Sequence, residues 1–292
     1  MATEPSPARR GGLAGLLRHA ASIPFFAYVA IFLLLPTLIV VIGAFQGVDG
    51  GFTLQNFKRL AEPNTIDSLL TSLWVSFLSA LVGSIAGALV AYVLVIGGER
   101  SRVMYRIVTA VSSVLAQFGG VMLAFAFIAT VGTNGIATQL LAKSIGYTVD
   151  PTWISSLPGL VTIYAYFQIP LMIIVFVPAV AGLRPQWREV TENLGGSTWT
   201  YWHRVAGPLL WPSFAGSFLL LFANAFSAYA TAAALFAQRS FLLPLMIQGA
   251  LRNEQDTSQN GFAQVLAFLM VLVVAIVMTG YAMLQRRTSR WL

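Results

Sequence analysis

Six long apolar runs dominate the amino-acid sequence, at approximately 22–45, 68–97, 107–131, 158–183, 213–237 and 260–284. Each supplies the roughly 20 residues that a helix needs to cross the hydrocarbon core of a bilayer. In hydrocarbon a chain must pair its own N–H and C=O groups, which leaves helices or closed barrels, and runs of this length mean helices. The fold class read from this pattern is an all-α membrane protein with six transmembrane helices. Residues 1–21 form an N-terminal tail with a short surface helix around Leu13–Ala20, residues 22–284 the membrane domain, and residues 285–292 a C-terminal tail. Charged residues make up only 9% of the chain, against about 25% in soluble domains, so lipid is its main solvent.

The net charge of +7 raises nucleic acid as a partner, but its placement points to a membrane instead. Both tails and the 98–106 and 184–212 loops together hold 12 of the 17 basic residues. The other side keeps Lys58, Arg59, Lys143, Arg239 and Arg252. The excess puts both termini and the 184–212 loop in the cytoplasm. All charged residues and both histidines fall outside the six runs. A proton-driven carrier needs carboxylates or histidines at membrane depth, and these spans offer none. No cysteine is present, which excludes disulfides and thiolate metal sites.

Inside the second span, Ser79, Gly83, Gly87 and Ala91 recur every four residues, a stripe that lets another helix approach closely. Pro36, Pro170 and Pro178 lie within spans and are expected to kink or break them.

The longest polar interruption of the second half is 184–212, RPQWREVTENLGGSTWTYWHRVAGPLLWP. Trp187, Val190 and Leu194 fall on one stripe of a short helix, with Arg188, Glu189, Glu192 and Asn193 around the rest. Gly195-Gly196 should end that helix, since glycine takes positive φ without steric cost. Ser197 or Thr198 can cap a second helix carrying Trp199, Trp202 and Val205, and Pro208 and Pro212 should close the segment. The expectation is a helix-turn-helix bracket lying on the membrane surface.

This bracket resembles the EAA loop of the integral-membrane permease subunits of binding-protein-dependent ABC importers. That signature runs E-A-A, three residues, G, nine residues, I-x-L-P. Here it reads Glu189-Val190-Thr191, three residues, Gly195, nine residues, Val205-Ala206-Gly207-Pro208. Glutamate, glycine and proline match at the right spacing; both alanines, the isoleucine and the leucine are replaced. The resemblance implies a type I importer permease fold and a non-catalytic subunit. It also implies two ABC ATPase subunits carrying ATP and magnesium, a second identical or homologous permease, and an extracytoplasmic substrate-binding protein. Glu189, Val190, Leu194, Gly195, Trp202 and Pro208 are then the residues of ATPase coupling. FLLLPTLIVVIGAF and the ending LQRRTSRW resemble most the spermidine/putrescine, iron(III), thiamine and phosphonate group, with maltose-type sugar permeases close behind.

The chain itself carries neither G-x-x-x-x-G-K-[ST] nor G-x-G-x-x-G, so it binds no nucleotide by those routes and needs no cofactor of its own. Gln117, Tyr164, Gln168, Asn224, Ser227 and Tyr229 are the polar residues within spans that can line a solute path. For each, the competing role is an interhelical hydrogen bond. A self-sufficient channel or secondary carrier, and a membrane scaffold, are the alternative functions.

Overall fold

The computed structural model describes residues 23–47, 50–97, 102–144, 146, 150, 152–236, 241–252 and 257–288. Among them the chain is helical, with one isolated bridge between Gln46 and Phe52. The tails and the Leu13–Ala20 helix expected there lie largely outside the described residues. In order, the helices are α1 (Ile23–Ala44), α2 (Gln55–Lys58), α3 (Pro63–Ile96), α4 (Arg102–Leu115), α5 (Gly120–Val131), α6 (Ile136–Ser144) and α7 (Leu157–Ala181). They continue with α8 (Pro185–Asn193), α9 (Thr198–Phe226), α10 (Tyr229–Leu235), α11 (Leu243–Leu251) and α12 (Thr257–Thr288). Six stretches are long and apolar enough to cross a membrane. The short helices α2, α6 and α11 occupy the three loops at the end of the bundle away from the bracket.

The most extensive helix contact is between α3 and α7. It follows from the small-residue stripe: a methyl group on Gly83 would lie 2.6 Å from Gln168 Cβ, and one on Gly87 2.7 Å from the Ile169 carbonyl oxygen. At such a separation dispersion between backbones and one polar clasp hold the pair, since lipid gives helices no hydrophobic drive to associate. The clasp is Gln168 Nε2 donating to Ser79 Oγ at 2.9 Å. One buried cluster, around Leu160, Ile163 and Phe167, fills the far half of α7; another, around Met172, Phe176 and Val180, fills the half next to the bracket.

None of the three in-span prolines breaks its helix. Helix α7 runs unbroken through Pro170 and Pro178. In α1 and α9 a single π-turn absorbs the proline: Leu35 N–H bonds to Ala30 O just before Pro36, and Gly207 N–H to Trp202 O just before Pro208. The extra residue in the turn moves the chain past the proline ring, which otherwise meets the carbonyl four residues back. Pro208 and Pro212 therefore do not close the bracket. They sit inside α9, and the bracket's second arm continues directly into the fifth span.

Two apolar runs contain breaks that hydropathy does not register. The third, 107–131, is two helices meeting at Ala116–Gly119, where Gly120 takes φ +70°. By length and composition alone the third spanning stretch is Gly120–Ser144, which joins α5 to α6. Packing favours α4 and α5 in succession: Val108 of α4 joins the cluster at the bracket half of α7, and Leu123 of α5 the cluster at its far half. The fifth run, 213–237, ends as a spanning helix at Phe226 and resumes as α10.

Candidate coupling bracket and translocation path

The bracket begins where Arg184, in extended conformation, leads into Pro185 at the first turn of α8. Proline is suited there because its missing N–H has no helical partner in any case. Arg188 Nε bonds Glu192 Oε1 at 3.0 Å, one turn on, with both side chains about half exposed. Such a surface pair contributes about 0.3–0.5 kcal/mol. The end of α8 is a Schellman motif: Gly196 N–H bonds Thr191 O at 2.9 Å and Gly195 N–H bonds Glu192 O at 3.0 Å, with Gly195 at φ +74°. Space around Gly195 is open, so it is the backbone angle that calls for glycine there; at Gly196 a methyl group would lie 2.8 Å from Thr191 Cγ2. Ser197 then caps the next helix, its Oγ accepting from Thr200 N–H at 3.3 Å.

This geometry turns three apolar side chains outward. Val190, Leu194 and Trp199 are 54%, 83% and 76% exposed. Glu189, one residue before Val190, is exposed as well. Trp202, read in the sequence as an anchor for a partner, points the other way. It packs edge-on against Tyr92 with ring centroids 4.9 Å apart and joins the cluster beneath the bracket. The residue three positions earlier, Trp199, takes the exposed place. Pro208 is exposed on α9, beyond the π-turn.

The six polar residues of the spans divide. Gln168 is fully buried between α3 and α7, where its Nε2 bonds Ser79 Oγ. Tyr164 is 2% exposed, and its hydroxyl donates to Ala228 O at 2.6 Å. Tyr229 is half-buried against the far-half cluster. Gln117, Asn224 and Ser227 face outward from the chain. Ser227 Oγ donates back to Ala223 O at 2.9 Å, while Asn224 and Gln117 are exposed.

The structure also brings the two helix breaks together, which sequence reasoning missed. Thr231 Oγ1 donates to Gly120 O at 3.2 Å, while the Tyr164 hydroxyl reaches Ala228 O. Each bond adds a second donor to a carbonyl at the start of a helix that follows a break, Gly120 of α5 and Ala228 before α10. Irregular backbone at membrane depth is tolerated where protein or a water-filled cavity covers it. The Gly119-Gly120 pair was the available signal for the first break.

Comparison with known proteins bears on this arrangement. Residues 83–290 match the family model described as binding-protein-dependent transport system inner membrane component. A sulfate transport system permease protein of Synechocystis sp. is 24% identical over 254 residues, covering 85% of this chain and 87% of that one. A putative ferric transport system permease protein of Haemophilus influenzae is 20% identical over 191 residues, 65% of this chain and 30% of that longer one. The fold matches the crystal structure of a bacterial ABC transporter involved in import of the acidic polysaccharide alginate, with TM-score 0.70 at 18% identity over 94% of this chain and 96% of that one. A second structure of the alginate transporter, in complex with an alginate pentasaccharide-bound periplasmic protein, matches with TM-score 0.67 at 17% identity, covering 94% of this chain and 96% of that one. With a model match over 208 of its 292 residues, the chain belongs to the inner membrane components of binding-protein-dependent transport systems and is a permease component of an ABC importer.

Proposed function

We propose that this chain forms half of a translocation path for a small solute, and that the bracket at 185–201 is where cytoplasmic ATPase subunits drive it. The observation that carries the reading is the exposed set Val190, Leu194 and Trp199 on a bracket whose angle Gly195 sets. Apolar anchors at helical spacing with flanking charge suit docking of a helix into a groove. Glu189 and the Arg188–Glu192 pair supply that charge. ATP and magnesium belong to the ATPase, and nothing in this chain's bracket suits nucleotide chemistry. The bracket passes into α9 without a loop, so displacement of the bracket is transmitted along the fifth span to the break at Ser227–Ala228.

A second permease completes the path. No residue of α1 from Ile23 to Ile42 is buried, and the helix is tethered at its far end, where Gly43 meets Gln264 and Phe45 stacks among Phe52, Phe57 and Phe268. A helix held at one end alone has its long face free for another chain. Gln117, Asn224 and Ser227 turn outward too, which is costly against lipid and favourable against a second permease or the water between the two. A binding protein delivers the solute to the end opposite the bracket, and the basic loops keep the bracket and both termini in the cytoplasm.

Reconstitution tests the reading. Uptake into liposomes should require this chain, its permease partner, the ATPase and the binding protein together. Uptake by this chain alone would overturn it.

A further inference from the structure

At the end of the molecule farthest from the bracket, the structure holds an open cleft of about 890 Å³ between the first turns of α3, the turn before α7 and the start of α11. Its size is that of small-molecule sites. Asn64, Asp67 and Thr71 line one wall, Ser155 another, and Phe241 and Met246 the apolar third. Thr152 and Ser156, also on the lining, are engaged locally: Thr152 Oγ1 bonds Asp150 Oδ1 at 2.8 Å and Ser156 Oγ bonds Trp153 O at 2.5 Å.

The walls are fixed by folding and not by loop chance. Ser72, one residue beyond Thr71, accepts the N–H of Leu243 at 2.8 Å and donates to Ser68 O at 2.7 Å. That cross-link, fully buried, seats the start of α11 against α3 and holds Met246 opposite Asp67. Among the described lining residues none is basic, and Asp67 makes no ion pair with a described residue. Asp150, beside Thr152 at the rim, accepts from the backbone N–H and hydroxyl of Thr152, and these bonds hold its carboxyl below the usual range. Among the described residues the charge at the mouth is negative, with amide and hydroxyl groups around one apolar wall.

We infer that this cleft is the first station of the solute on the permease and that it selects a small hydroxylated solute bearing an ammonium group over the same solute bearing a carboxylate. A carboxylate or sulfate would meet Asp67 and Asp150 with no described cation to offset them; an ammonium would pair with Asp67, while hydroxyls bond Asn64, Thr71 and Ser155. The inference rests on the reading of the chain as an importer permease, and it assigns the solute's class.

Glucosamine, glucose and glucuronate share a ring and differ in charge, so they isolate that selection. The full chain in zwitterionic lipid nanodiscs is examined by saturation-transfer NMR at about pH 6, between the carboxylate and amine ranges. Glucosamine should bind about fivefold more tightly than glucose, which corresponds to roughly 1 kcal/mol for a charge pair at the water interface. Glucuronate should give the weakest signal. D67N should bring glucosamine down to the level of glucose, and D67K should raise glucuronate above it. Asp67 is exposed, so both variants are expected to fold. Equal signals for the three, a glucosamine preference that survives D67N, or a glucuronate signal that is lost with Arg239→Gln would each overturn the assignment. Co-purification of the ATPase through the bracket is read separately, so failure here leaves the coupling role standing and the reverse holds as well.

Discussion

The hydroxyl of Tyr164 donates to the backbone carbonyl of Ala228 at 2.6 Å, joining the middle of the fourth span to the point where the fifth unwinds. Tyr164→Phe removes this bond from a carbonyl that also opens α10, which costs about 0.5–1.5 kcal/mol, the net contribution of an ordinary hydrogen bond. The thermal midpoint of the purified variant should fall accordingly. Thr231→Val removes the neighbouring bond to Gly120 O. Because both bonds hold one junction, the double variant should depart from additivity by at least about 0.5 kcal/mol. Simple additivity would mean that the two breaks move independently.

Gly195 stands at φ +74° with open space around its Cβ position. Steric crowding is therefore absent, and the cost of replacement is backbone strain of about 1–2 kcal/mol for an ordinary L residue. Asparagine tolerates this region, whereas valine does not. Gly195→Asn should retain most transport and ATPase co-purification, and Gly195→Val should lose both. Normal uptake by the valine variant would remove Gly195 from the coupling role.

The two faces of the bracket should separate in mutagenesis. Leu194→Asp changes a side chain that is 83% exposed and should shift stability by no more than about 0.5 kcal/mol while reducing ATPase co-purification at least tenfold. Trp202→Ala removes a ring packed on Tyr92 and should lower the melting temperature before it affects binding. Co-purification lost with Trp202→Ala at unchanged stability would restore Trp202 as an anchor.

At the α3–α7 seam, Gly87→Leu forces a side chain into the Ile169 carbonyl and Met172, and should prevent a folded product. Gly87→Ala is the milder probe and should lower stability by about 1–3 kcal/mol, the range for overpacking. A neutral alanine variant would mean that α3 and α7 are less rigidly apposed than their contact implies.

Much of this architecture was legible in local chemistry. Positive φ at Gly195 and the Ser197 cap follow from the residue types that helix ends require, and Gly83 and Gly87 mark a close helix contact by their four-residue spacing. Other features depend on partners distant in sequence. Whether Trp199 or Trp202 faces outward is decided by Tyr92 and by the π-turn before Pro208, neither of which the bracket's own pattern encodes. A window of span length averages Gln117 and Gly119 with their apolar neighbours, so hydropathy reads 107–131 as one run although the helix breaks there. Gln168 and Asn224 look alike as amides within spans; only tertiary packing makes one a clasp and the other a surface group.

The chain has no cysteine of its own, so one introduced at Leu194 or Trp199 is unique. In the assembled transporter, a short bifunctional reagent at either position should link this chain to the ATPase, and the yield should change with ATP. A membrane-impermeant thiol reagent added from outside should leave both positions unlabelled. Labelling from outside, or full reactivity with no link to the ATPase in an intact complex, would contradict the coupling role of the bracket.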